Sequence, residues 1–489
     1  MNMKKQLTLF LYLIVLLFNA SAQQKNPLYE FRGVWVASVV NCDFPSSKNL
    51  TTEEQKAEFI KLADLHQRNG MNALIVQVRP AGDALYPSKF EPWSEYLTGK
   101  QGVPPNPYYD PLEFMINETH KRGMEFHAWL NPYRAVFNIR ESSVAATHLT
   151  KTKPYLFLNY DGKKFFNPAL QEVRTHFVNI INDLIERYAI DGIHIDDYFY
   201  PYPDAKGTEF PDGKYYKEMG NGLSKADWRR SNCDSIIKQI WEAINAQPRR
   251  VKFGISPFGV WRNASQDQKG SNTKAGITNY DNLYADILLW LKKGWVDYCV
   301  PQLYWERGHK LCDFDTLLSW WNKNTFGRHL YIGQAPYRAG TTKGWRDKNE
   351  LPNEIINLRN YSTTKGSVYF SSISFNSNPN GWNDSLQQHY YSTPAIVPPM
   401  PWIDNEKPAA PIITEKADRS FGISYKGTKR IKGYVLFTGI SKENAVGKKI
   451  ILKESDEFNL NDLLNDMFTK VYVAALSVNN NLSELVELK

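Results

Sequence analysis

Eight strand-like runs separated by helix-like segments predict a parallel α/β fold, a (β/α)8 TIM-type barrel, followed by a small all-β sandwich. Three observations carry this. The strand-like runs are apolar on both faces and end in polar residues, the pattern of parallel strands buried on both sides with a site at their carboxyl ends. No GxGxxG or GxxxxGK[ST] turn follows any of them, which counts against an open nucleotide-binding sheet. From Pro394 the texture changes to TPAIVPPMPW and DNEKPAAP, a proline-rich join, and beyond it only short alternating segments follow.

In order, FRGVWVASVV (31–40) is the first strand, and residues 51–69 carry helical periodicity that stops at Gly70. MNALIVQVRP (71–80) is the second strand, and the helix at 111–122, stopped by Gly123, leads into MEFHAWLNPYR (124–134). An Asn-Pro start opens a long amphipathic helix at 167–188 before DGIHIDDYFYP (191–201). Helix 225–246 precedes VKFGISPFGVW (251–261), and helix 286–293 precedes WVDYCVPQLYWE (295–306). Helices at 314–324 and 351–361 precede HLYIGQAPYR (329–338) and GSVYFSSISF (366–375). The barrel is expected over residues 27–402 and the linker with its sandwich over 403–489, the two folding as separate cores.

Residues 1–22 read as a cleaved signal peptide: Lys4 and Lys5, an apolar run from Leu7 to Phe18, then Ala20-Ser21-Ala22. The run is shorter than the roughly 20 residues of a spanning helix. The chain is therefore expected to be exported, periplasmic or extracellular, with no membrane span after cleavage. Its formal charge of +8 is spread without a basic block, which argues against nucleic acid and is compatible with an anionic envelope polymer. Cys42, Cys233, Cys299 and Cys312 lack metal-binding spacing, and buried free thiols are expected.

Residues at or beyond the strand ends mix aromatics with fixed donors and acceptors, the chemistry that grips a sugar's apolar face and its hydroxyls. They are Trp35, Arg79, Asp83, Asn131, Tyr133, Arg134, His194, Tyr198, Trp261, Gln302, Tyr304, Trp305, Gln334, Tyr337 and Arg338. Glycosidic cleavage needs two carboxyl groups. Alternation puts His194 and Asp196 on the inner face of the fourth strand, so Asp196 is the first candidate. Gln302, Tyr304 and Glu306 share a face by the same rule, which makes Glu306 the expected partner, with Asp197 and Asp83 as alternatives.

GVWV (33–36), AWLNPYR (128–134), DGIHIDDYFYP, SPFGVW (256–261) and PQLYW (301–305) together resemble the glycosyl-hydrolase-like family ten, exported bacterial barrel proteins. The resemblance implies a glycoside hydrolase acting on a polysaccharide, most often suggested to be cell-wall, peptidoglycan-type glycan. DGIHID is also similar to the DGxRxD segment of amylase-type retaining barrels, which implies a nucleophile at Asp196, with His194 where those enzymes carry Arg. After the join, GYVLFTG (433–439) and VYVAALSVNNNLSE (471–484) resemble a fibronectin type III module, a spacer or a dock for an envelope protein. The competing class is a non-catalytic glycan-binding or scaffold protein that keeps the groove without the chemistry. Metal-dependent hydrolysis through His194, Asp196 and Asp197 is a third reading, disfavoured for want of a ligand set; no metal or cofactor is expected.

Overall fold

The structure is a computed structural model that describes residues 26–416, 420–453, 457–459 and 470–488. The expected signal peptide at 1–22 lies outside the described residues. Eight parallel strands close a barrel: β1 (Phe31–Val36), β2 (Ala73–Arg79), β3 (Glu125–Leu130), β7 (Gly192–Ile195), β8 (Lys252–Ile255), β9 (Tyr298–Cys299), β10 (His329–Gln334) and β11 (Thr364–Tyr369). β1 pairs with both β2 and β11, which completes the ring. Between β3 and β7 the chain makes a three-stranded antiparallel excursion, β4 (Arg134–Val136), β5 (Phe157–Tyr160) and β6 (Lys163–Phe166).

Local chemistry sets the helix starts. Thr51 and Glu54 form a reciprocal capping box on helix Thr52–Arg68. Asp110 caps Pro111–His120, whose proline occupies the first turn, where a missing N–H does no harm. Apart from Lys365 in β11, the barrel strands are buried along their whole length because helices cover the outside and side chains fill the inside. Inside, Phe31 stacks on Tyr331 at 4.1 Å between ring centroids, with Tyr298 and Val368 in the same cluster.

At the strand starts the filling turns polar. Lys252 Nζ lies 2.6 and 2.7 Å from the two oxygens of Glu125, and Glu125 also contacts His127 at 3.1 Å. Burial alone would raise the Glu125 carboxyl, but Lys252, His127 and Lys432 together outweigh it and hold the group well below its ordinary range. The stretch after the barrel then closes this end: Val397 and Met400 join the interior cluster, and Trp402 Nε1 donates to Asp297 at 2.8 Å.

The C-terminal module has two antiparallel sheets. One contains β12 (Ile412–Glu415), β13 (Ser420–Ser424) and β16 (Glu457–Asn459); the other has the order β15-β14-β17-β18, with β14 Ile431–Gly439, β15 Val446–Leu452, β17 Lys470–Ser477 and β18 Val486–Glu487. Phe421, Ile423, Tyr434, Leu436 and Val473 form its core. The expectation of separate cores needs correcting. The other face of the four-stranded sheet, Val435, Phe437, Tyr472 and Leu476, packs with Ile396 and Leu28 of the barrel domain. Asn480 Nδ2 donates to Glu125 Oε1 at 2.9 Å, so the module also joins the polar cluster at the barrel floor. Among the described residues all four cysteines are free, Cys42 half-buried and the others buried. No described helix is long and apolar enough to cross a membrane.

Candidate active site

Strand parity carries Trp35, Trp129, Asn131, His194, Asp196 and Ser256 to the inner face at the carboxyl ends of β1, β3, β7 and β8. Asp196 is 3 % exposed and is the hub. It accepts hydrogen bonds from Asn131 Nδ2 at 3.0 and 3.2 Å and from Trp129 Nε1 at 3.1 Å. Asn131 is itself oriented, because its Oδ1 accepts from the backbone N–H groups of Tyr133 and Arg134. That leaves its amide nitrogen aimed at the carboxylate. Arg134 lies over the Tyr198 ring at 4.5 Å, close enough to favour a charged Asp196. Burial raises the Asp196 carboxyl, and Arg134, Asn131 and Trp129 act against that rise.

Asp197 sits beside it with a different shell. It is buried, and its side chain accepts a hydrogen bond from the Tyr202 hydroxyl. Burial first, and the neighbouring Asp196 charge second, push its carboxyl from 3.8 up to about 7. Two carboxyls this close do not both ionise readily, and the donors around Asp196 place the charge there and the proton on Asp197.

His194 is a fixed neutral imidazole. The indole N–H of Trp35 donates to its Nε2 at 3.2 Å, and indole can only donate, so Nε2 is the acceptor and Nδ1 bears the hydrogen. Nδ1 then donates to the Tyr298 hydroxyl at 3.1 Å, and that hydroxyl donates to His127 Nδ1 at 2.8 Å. His127 Nε2 completes the chain at Glu125. Ser256 Oγ, 2.9 Å from His194 Nε2, is the second donor to it. Burial, followed by the influence of His127, holds the His194 imidazole well below its ordinary range. Both ring nitrogens are engaged by protein groups, so His194 offers no free lone pair for a metal.

Two groups of aromatic rings stand at the strand ends. From Tyr202, which donates to Asp197, one group runs through Phe258, edge-on at 6.3 Å, to Trp305 at 5.5 Å. In a second group, Tyr304 and Tyr337 meet Phe370, each at about 6 Å, and Phe370 meets Trp35. Tyr337 is 46 % exposed, at the rim. Gln302 Nε2 donates to the Ser256 carbonyl at 3.0 Å and ties β9 to β8.

Other expected contacts lie elsewhere. A register shift between Gln77 and Arg79 turns Arg79 outward, where Glu91 pairs with it at 2.5 and 2.7 Å and the rings of Phe166 and Phe177 enclose it. Its Nη1 also donates to the Asn131 carbonyl, so Arg79 positions Asn131 without facing the mouth. Replacing Arg79 with Ala leaves Glu91 buried beside His176 alone, and is expected to cost about 3–5 kcal/mol of stability. A large fall in melting temperature checks this; an unchanged melting temperature with a raised KM would return Arg79 to the substrate.

Gln334 lies on the outer parity of β10 and donates to Glu354 at 2.7 Å. Tyr133 belongs to the outer core, and Trp261 stacks on Trp320 there. Asp83 is buried beneath its loop with Gln101 as donor, and burial pushes its carboxyl up to about 6. Arg338 lies against Tyr337 with its Nε buried and unpartnered among the described residues. Glu306 is not among the partners of Asp196. Regular pairing of β9 ends at Cys299, and the chain bends at Trp305 and turns at 307–308, so alternation does not extend to Glu306. Its side chain lies instead against Gly344, where an added Cβ would sit 2.6 Å from Glu306 Cγ.

The chain matches the family described as Glycosyl hydrolase-like 10 over residues 30–348. It belongs to that family. It is 46 % identical over 418 residues to glycosyl hydrolase YngK of Bacillus subtilis strain 168, covering 84 % of this chain and 81 % of the relative. It is 39 % identical over 341 residues to glycosyl hydrolase DigH of Escherichia coli K12, covering 66 % of this chain and 76 % of the relative. Among solved structures, the catalytic domain of a β-amylase from Paenibacillus polymyxa matches with a TM-score of 0.47 at 13 % identity, over 74 % of this chain and 98 % of that one. Family membership accounts for the match of this chain to glycosyl hydrolases, and the geometry adds which groups stand at the mouth.

Trp129, Tyr202, Phe258, Ser256 and Phe370 were not anticipated as site residues. For Trp129 and Ser256 the signal was present, since the alternation that selects His194 and Asp196 also selects them. Tyr202 lies one residue beyond the DGIHIDDYFYP run.

Proposed function

We propose that the protein is an exported glycoside hydrolase that cleaves O-glycosidic bonds of a polysaccharide, cell-wall glycan strands being the substrate, with Asp196 and Asp197 as its carboxyl pair. The observation that carries this is the unequal environment of two buried carboxyls, adjacent in sequence at the carboxyl end of β7. Environments that push two carboxyls apart assign one as acid and the other as charged partner. Asp197, protonated to about pH 7, gives its proton to the leaving oxygen as the glycosidic bond breaks. Asp196, ionised, faces the oxocarbenium-like carbon and stabilises or captures it, and water completes the hydrolysis by giving its proton to the Asp197 carboxylate as it attacks that carbon. The two groups of aromatic rings supply stacking faces for the sugars flanking the scissile bond. Both carboxyls and one water suffice for the proton balance.

The module's three-plus-four strand order supports reading it as fibronectin type III-like, and its contacts at the barrel floor leave the mouth open at the opposite end. Incubation with glycan strands, bearing and lacking stem peptides, is expected to release new reducing ends. Asp196→Asn protein is expected to release none. Binding of the strands without any new reducing end would instead establish the non-catalytic scaffold.

A further inference from the structure

At the end of the barrel remote from Asp196, a cleft of about 660 Å³ opens between the strand starts and the C-terminal module. Five cationic side chains line it and no carboxylate does: Arg68, Lys121 and Arg122 from the barrel wall, Lys448 and Lys449 from the module. Lys121 and Arg122 pair with Glu118, and Arg122 also with Asp64, behind the wall. Arg68, Lys448 and Lys449 have no ion pair among the described residues. Two consecutive strand residues normally point to opposite faces. Here the pairing of β14 with β15 shifts register at Leu436 and Phe437, whose partners are Lys449 and Gly447, so Lys448 is an extra residue. Such a bulge re-aims side chains, and both lysines reach the same cleft.

We propose that this cleft binds a linear polyanion carrying phosphate or carboxylate groups. An exposed cation paired with a single anion gains little, so a ligand engaging one side chain would bind negligibly. A chain of anions that meets both walls at once gains from each contact without a new loss of translational freedom. The uncharged polar residues Gln67 and Ser392 and the apolar Ile451 in the lining suit a polymer with a carbon or sugar backbone better than a bare ion. The cleft and the catalytic mouth lie at opposite ends of the barrel. A bound polyanion would hold the enzyme while leaving the mouth open, and its binding does not depend on which residues perform catalysis.

The test is titration of the full chain, at low and at moderate salt, with polyphosphate and with polygalacturonate, against neutral dextran and anionic phospholipid vesicles. One or both polymers are expected to bind, salt-sensitively, and dextran not. The phosphate and carboxylate arms tell which group is preferred. The Arg68→Gln, Lys448→Gln, Lys449→Gln triple variant is expected to weaken binding about tenfold or more. A control triple at exposed lysines elsewhere, Lys151→Gln, Lys214→Gln, Lys217→Gln, is expected to change it less than about twofold. The Lys448→Gln, Lys449→Gln pair alone, at exposed unpaired side chains, gives the same reading should the triple melt early. Absence of polymer binding, equal loss in both triples, or binding to vesicles only would overturn the proposal.

Discussion

Asp196→Asn is expected to lower kcat/KM by at least about 10³-fold, the scale of losing a positioned carboxyl, while the protein stays folded. The substitution keeps shape and changes charge. In wild type the Asp196 oxygens take N–H donors from Asn131 and Trp129. An amide at this position presents one oxygen and one N–H₂ to those donors, so one hydrogen bond is lost and the buried charge disappears with it. These effects on stability oppose each other, and the melting temperature should move by only a few degrees. The effect on the reaction has no such compensation, because a neutral amide neither balances a developing positive carbon nor captures it. Release of reducing ends, measured beside the melting temperature, is the check. Activity above a tenth of wild type in a folded Asp196→Asn protein would remove Asp196 from the mechanism.

The barrel was legible because parallel strands buried on both faces are written as unbroken apolar runs, and eight such runs between amphipathic helices admit few topologies. Individual side chains were legible only where a strand stays regular to its end. β7 does, so His194 and Asp196 point inward as alternation requires. At β2 the shifted register turns Arg79 out, and nothing in LIVQVRP marks that shift. At β9 only Tyr298 and Cys299 pair regularly, so alternation counted seven residues further does not fix the direction of Glu306, whose side chain lies against Gly344. Gln334 stands at a strand end, but its parity on β10 puts it outside with Glu354.

The docking of the module was legible in principle. A strand with one wet face alternates, but β14 carries Tyr434, Val435, Leu436 and Phe437 in succession, all buried, and β17 reads VYVAAL. Runs apolar on both faces require cover on both faces. One cover is the three-stranded sheet and the other is the barrel domain. The proline-rich texture of the join drew attention to a boundary, yet Val397 and Met400 from that stretch end up inside the barrel floor.

Asp197→Asn is expected to impair catalysis and to stabilise the protein, with each effect confined to its own pH range. As general acid, Asp197 must be protonated, and burial together with Asp196 sets its carboxyl at about 7. Wild-type kcat/KM should therefore fall as pH rises through about 7, and the variant should lose that limb along with about 10²–10⁴-fold of its rate on unactivated glycans. For stability the sign is opposite to that of a salt-bridged aspartate. Between pH 3.8 and about 7 the unfolded chain releases this proton while the folded protein keeps it, so wild-type stability declines across that window and the full penalty stands above it. A shift of this size corresponds to at most about 4 kcal/mol, shared with Asp196 because the two carboxyls titrate together. Asparagine has no proton to release, and its carbonyl can still accept from Tyr202. The variant should melt close to wild type at pH 4 and several degrees higher at pH 8, while Glu306→Gln leaves both the limb and the melting curve in place. An Asp197→Asn protein that keeps the alkaline limb would pass the acid role to Glu306 or Asp83.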